Sequence, residues 1–264
     1  MNIFFQELRA NFKSLLIWSV IVFLFVLVSF SKFSAFAGNP EMLTILDGMP
    51  PALLETLNMK AFNLTTVTGF YGVMFAYFSL ILTVSAVMWG SDIITKEERN
   101  KTVEFALTLP IRRSQLITAK AAVALVNCIG LIFVTWASVL VGAAGYKPDS
   151  QFFGYVAISM LALFLMQMVF LSIGIFLGSA MKRYKQANSV AVSILLGTFF
   201  LSVVVGLNNS LDFLKFLTPF KYFDPVTLLH ESRLDPTFVL ISLGIAILCM
   251  AGSYVAYAKR DLYI

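Results

Sequence analysis

The 264-residue chain is 59% hydrophobic and only 12% charged, with a mean hydropathy of +0.87 and a formal charge of +5. Soluble domains are about 45–50% apolar and about 25% charged, so a water-soluble fold of this length would have no polar skin, and the composition specifies an all-α polytopic membrane protein. The basic residues sit at the ends of apolar runs, where they act as orientation signals and speak against a nucleic-acid role.

Residues 1–13 place Phe4, Leu8 and Phe12 on one helical stripe with Phe5 alongside, while Gln6, Glu7, Arg9 and Lys13 take the remainder. This pattern predicts a short interfacial helix before the chain turns into the membrane; a continuation of the first span is the alternative. The stretch does not read as a cleavable signal peptide, because no small-residue cleavage site follows a short apolar core.

Six apolar segments follow, each near the ~20 residues that a span requires. They fall at residues 14–35, 69–90, 121–145, 153–181, 187–207 and 237–258, and together they form one transmembrane unit over residues 1–264. With both termini inside, thirteen of the 19 Lys and Arg are cytoplasmic, and Lys32, Lys60, Lys147, Lys215, Lys221 and Arg233 lie outside. That asymmetry predicts a multi-pass protein of the cell membrane with cytoplasmic termini. Under this placement no ionisable side chain lies deep in a span, which disfavours proton- or ion-coupled transport.

The outer loop 36–68 contains NPEMLTILDGM and PPALLETLNM, each opening near a proline and carrying apolar residues at helical spacing. Two short capping helices are expected there. The loop 208–236 mixes Phe213, Phe216, Leu217, Phe220, Tyr222 and Phe223 with scattered charge, the composition of a segment that folds partly back into the outer leaflet. His230, the single histidine, has no partner motif for catalysis or metal binding. Cys128 and Cys249 lie in apolar runs without CxxC or Cys/His neighbours and read as packing residues. Gly174 and Gly178 form GxxxG, and Ser138 with Gly142 repeats the small-residue spacing; both suit close helix contact, within the chain or between copies.

Between the second and third spans the chain turns polar. Residues 92–120 read DIITKEERNKTVEFALTLPIRRSQLITAK and hold six basic residues (Lys96, Arg99, Lys101, Arg112, Arg113, Lys120) and four acids (Asp92, Glu97, Glu98, Glu104). Glu97 and Lys101 are spaced i, i+4, the favourable order for a helix. Val103, Phe105, Ala106, Leu107 and Leu109 then supply one or two amphipathic turns, which Pro110 ends. A short cytoplasmic helix rimmed by arginines suits docking into a groove on a soluble partner; a solvated loop that only sets topology would not need the apolar positions.

The runs GMPPALLETLNM, VTGFYGVMF, GSDIITKEERNKTVEFALTLPIRRSQLITAK, LTPFKYFDP and the terminal AKRDL make the chain resemble, over nearly its whole length, the permease subunits of type-2 ABC transporters, also called type V exporters. The resemblance implies six spans with an N-terminal interfacial helix, two permeases (identical or paired with a sister) on two ABC ATPase subunits, and a coupling helix in the central loop. It carries the coupling role onto Glu97, Glu98, Arg99, Lys101, Thr102, Glu104, Leu109, Pro110 and Arg112. It also makes the second and fifth spans line the substrate cleft, with Phe75, Phe78, Val192, Leu196 and Phe199 as candidates. The sequence contains no GxxxxGK[ST] phosphate loop, so ATP and magnesium are expected in the partner subunit and no cofactor, metal or catalytic residue in this one. Aromatic, charge-poor spans suit an amphipathic peptide (antimicrobial or toxin-like) or a hydrophobic compound. The competing classes are an ATPase-independent channel or secondary carrier, and a membrane enzyme, which lacks any HExxH, GxSxG or paired intramembrane carboxylates.

Overall fold

A computed structural model describes residues 3–37, 62–101, 112–207 and 209–259. Six of its helices carry an apolar window long enough to cross a bilayer: α1 (Ile3–Phe33), α2 (Val67–Asn100), α3 (Arg113–Ala143), α4 (Ser150–Ala180), α5 (Tyr184–Leu207) and α6 (Pro236–Ala258). No strand occurs among the described residues. Helix starts follow local chemistry. Thr66 Oγ1 accepts the Gly69 N–H at 3.1 Å, Asp149 Oδ1 accepts the Phe152 N–H at 2.9 Å, and Asp235 Oδ1 accepts the Thr237 N–H at 2.8 Å, just before Pro236 opens α6. Asp149 Oδ1 also accepts the Thr68 hydroxyl at 2.8 Å, so one carboxylate caps α4 and pins it to α2.

The chain runs back and forth, leaving residues 3, 100, 113, 184 and 258 at one end of the bundle. That end carries most of the charge. The centre is the pair α2–α4, parallel and in the most extensive contact of any two helices. Two-thirds of the apolar window of each is buried (67%), against 22% for α1, 17% for α5 and 11% for α6. Their seam is set by glycine. A Cβ on Gly90 would overlap the Leu171 carbonyl oxygen, one on Gly174 would overlap that of Val87, and one on Gly178 would lie 3.0 Å from that of Ser91. The backbones therefore touch, as small-xxx-small spacing allows. The Gly174/Gly178 pair is spent inside the chain. Gly142 similarly lies under the Phe30 ring of α1.

At the opposite end, residues 209–231 form 3₁₀ turns (Asn209–Leu217, Pro219–Lys221) and the short helix Pro225–Glu231. The segment folds back along α5. Thr218 Oγ1 donates to the Thr198 carbonyl at 2.8 Å, and the Phe220 ring lies 5.2 Å from Phe199 and 5.3 Å from Phe170. Thr198 is nine residues short of the α5 terminus, roughly 13 Å along a helix. Tyr155 Oη then anchors the return by donating to the Pro225 carbonyl at 3.0 Å.

Three boundaries differ from the sequence expectation. The interfacial helix and first span are joined in the single helix α1, which has neither Gly nor Pro to break it. At about 1.5 Å per residue its 31 residues measure roughly 46 Å, more than the ~30 Å hydrocarbon core. The second helix runs ten residues past Gly90, and the third starts at Arg113 rather than at 121. Lys120 therefore sits two turns inside α3, at its charged end and only 1% exposed. The capping helices expected in the outer loop fall mostly on residues 38–61, outside the described residues.

Candidate functional site

The charged end of the bundle is built on the extension of α2. Residues 91–100 contain no Gly or Pro and are rich in residues that tolerate helix, so the helix continues into the polar stretch until Lys101 adopts φ 57°. There the Lys101 N–H reaches back to the Glu98 carbonyl at 3.3 Å, a left-handed terminus of the kind glycine usually supplies. The α3 start is complementary: Gln115 Oε1 accepts the Arg112 N–H at 3.1 Å.

Six side-chain links radiate from this extension or flank it. Lys96 on α2 pairs with Glu7 on α1, and both are largely buried. Two turns along the same seam, Trp89 Nε1 donates to Ser14 Oγ at 2.8 Å. Glu97 pairs with Lys120 of α3, whose ammonium also donates to the Ile93 carbonyl at 2.8 Å. Asp92 and Arg99 pair on the exposed face of α2, with a second contact at 3.1 Å. From the α3 start, Arg113 Nη1 donates to the Tyr257 and Ala258 carbonyls at 3.1 and 3.3 Å, satisfying the open end of α6. Thr118 and Tyr254 hydroxyls meet at 2.8 Å between the same two helices.

The energetics differ between these links. Exposed pairs such as Asp92–Arg99 are worth about 0–1 kcal/mol. A buried pair gains little over an apolar replacement, yet removing one partner costs about 3–5 kcal/mol because the other charge is stranded. Lys120 is held by one carboxylate and one carbonyl in an apolar setting, so Glu97 and Lys120 cannot part without a replacement partner. Together the links tie α1, α2, α3 and α6 to one another at this end.

The expected coupling residues divide accordingly. Glu97 points inward to Lys120, Glu98 is buried, Arg99 pairs with Asp92, and Lys101 and Arg112 are exposed at the two helix ends facing the connection. Thr102, Glu104, Leu109 and Pro110 lie outside the described residues. Glu7, Lys96, Lys120 and Arg113 join the site, although the sequence pattern gave none of them a coupling role. A carboxylate one turn from both Phe4 and Asn11, beside an apolar stripe, was the one available hint for Glu7.

The cleft candidates separate as well. Phe75 and Phe78 are buried within the chain, Phe78 stacking edge-on to Phe25 and tilted against Tyr71. Val192 and Phe199 are half-buried and Leu196 is exposed on α5. His230 is exposed at the opposite end.

The arrangement is that of a helical membrane bundle whose polar end is tied together by side-chain links between α1, α2, α3 and α6. The family model described as ABC-2 family transporter protein matches residues 1–262 of the chain. No curated protein matches it.

Proposed function

The chain belongs to the ABC-2 family of transporter proteins and is a membrane permease subunit working with an ABC ATPase subunit; from that premise we propose that it serves an exporter of an amphipathic peptide, antimicrobial or toxin-like, or of a hydrophobic compound. Both termini and the charged end face the cytoplasm. Two permeases, identical or paired with a sister subunit, sit on two ATPase subunits that bind ATP and magnesium, and each permease forms half of the pathway.

The observation that supports this reading is the tie from Glu97 to Lys120 across the two ends of the central connection. Residues 102–111, with Thr102, Glu104, Leu109 and Pro110, form the coupling element, and Lys101 and Arg112 bracket it. A push on this element reaches α2 and α3 together, then α1 through Glu7–Lys96 and α6 through Arg113. The pathway runs along the α5 surface at Val192, Leu196 and Phe199, while Phe75 and Phe78, buried in the chain's own core, take no direct part in it.

The test is purification of the tagged chain from cells expressing its neighbouring genes, followed by reconstitution in vesicles. A phosphate-loop subunit with vanadate-sensitive hydrolysis and ATP-dependent uptake of an amphipathic peptide into inverted vesicles is the expected result. Movement of a small hydrophilic solute with no peptide transport would overturn the cargo; a lone oligomer without ATPase activity, transporting passively, would overturn the mechanism.

A further inference from the structure

Two amide side chains in the middle of the bundle are completely enclosed and not fully hydrogen-bonded. Asn127 on α3 is 1% exposed, and neither its Oδ1 nor its Nδ2 has a partner. Gln167 on α4 is 0% exposed; its Nε2 donates to the Leu82 carbonyl at 3.3 Å, while its Oε1 has no partner. An amide left unpaired in an apolar interior costs on the order of 1–3 kcal/mol by mutational measures, and such groups in native proteins are met by protein or by ordered water.

Helix register brings the two amides to one level. α3 runs antiparallel to α2, and Lys120 Nζ meets the Ile93 carbonyl. Seven residues onward along α3 is Asn127, and seven residues back along α2 is Ala86; both steps are two turns, about 10.5 Å. Asn127 shares the helical face of Lys120, seven residues away, and so faces α2. Gln167 is bonded to Leu82 of the same helix, one turn from Ala86, and the carbonyl of Leu82 points toward that turn. Both amides thus converge on the Leu82–Ala86 turn, where α2, α3 and α4 meet, with two acceptors and one donor group unmet. They make no hydrogen bond to each other.

We propose that an ordered water molecule is bound at this three-helix junction, bridging Asn127 and Gln167. Water is the ligand the chemistry fits: it donates to Oδ1 and Oε1 and can accept from Nδ2, and buried waters typically make about three such bonds. The charges within two turns on these helices are engaged elsewhere, Lys120 by Glu97 and Asp92 by Arg99 on the exposed face of α2. The site does not depend on the cargo or direction of transport.

The experiment is a double-mutant cycle on the reconstituted full-length permease with its ATPase, comparing Asn127→Leu, Gln167→Leu and the double variant by unfolding equilibrium. A high-resolution map of the unaltered complex accompanies it. Each single variant should weaken the folded state, and the double variant should be about threefold or more milder than the product of the singles, the scale of coupling measured between polar groups in membrane helices. A density peak within hydrogen-bond distance of both amides completes the expected result. Strictly multiplicative effects overturn the proposal, since the amides would then be independent. Coupling with a direct Asn127–Gln167 bond and no peak also overturns it. Where a leucine variant fails to assemble, Asn127→Ala and Gln167→Met close the same cycle.

Discussion

The glycine seam between α2 and α4 and the charged end of the bundle hold helices together by opposite means. At the seam, Gly90, Gly174 and Gly178 let main chain meet main chain, so the separation is fixed by hard atomic contact. At the charged end, helices are joined through the long side chains of Lys96, Lys120 and Arg113. Contact of the first kind has no freedom to slide, because atoms at van der Waals distance repel steeply. Links of the second kind tolerate an ångström or two of displacement by rotamer adjustment. The difference teaches that added bulk is felt at the seam, while a lost partner is felt at the charged end.

The strongest way to break the comparison is at Lys120. Lys120→Met strands Glu97 and is expected to cost about 3–5 kcal/mol in unfolding free energy, whereas adding Glu97→Gln recovers most of the loss; a double variant as unstable as the single would show that the pair is not the source. Gly174→Ala is expected to cost about 1–3 kcal/mol by overpacking, read as lost thermal stability in detergent. A harmless Gly174→Ala would mean that the seam is not rigid. Arg113→Ala should remove about 1.5–3 kcal/mol, the scale of hydrogen bonds to a charged group, and should raise hydrogen exchange specifically in the last turn of α6. Asp92→Asn should change stability by less than about 1 kcal/mol, measured in the same denaturation series. At the bottom of the scale stand Gly197→Ala and Gly244→Ala, where an added Cβ meets nothing within 4 Å; helix propensity favours the alanine by up to about 1 kcal/mol, and destabilisation of either would place an unseen packing partner on α5 or α6.

Six spans were legible in the sequence because hydrocarbon imposes its thickness on the chain, and each apolar run coincides with one observed helix, the first, third and fourth overrunning its end by one or two residues. Helix ends were not. Charge marks where lipid stops, but Glu, Lys and Arg are good helix formers, so α2 and α3 continue through residues that hydropathy assigns to a loop. The join between residues 3–13 and the first span has the same origin: an amphipathic stripe signals an interface, yet nothing between Phe12 and Leu16 breaks the helix. The spacing of Gly174 and Gly178 was readable as close packing, while its partner inside the chain required coordinates. At the charged end Glu97 and Arg112 were legible as local pattern. Glu7–Lys96 was not, since its members are 89 residues apart and no local rule links them.

The continuous α1 has a mechanical consequence. Its first turns are gripped by Lys96, and its far end packs Phe30 and Phe33 against Phe70 and Tyr146, with the Phe33 ring 4.9 Å from each. A rod clamped at both faces of a membrane behaves as a lever: tilting one end must swing the other, with no relay of side chains between. Displacement at Glu7 would thus reach the aromatic cluster on the opposite face through the helix backbone itself, and a proline placed midway, at Val22 for instance, would interrupt that linkage.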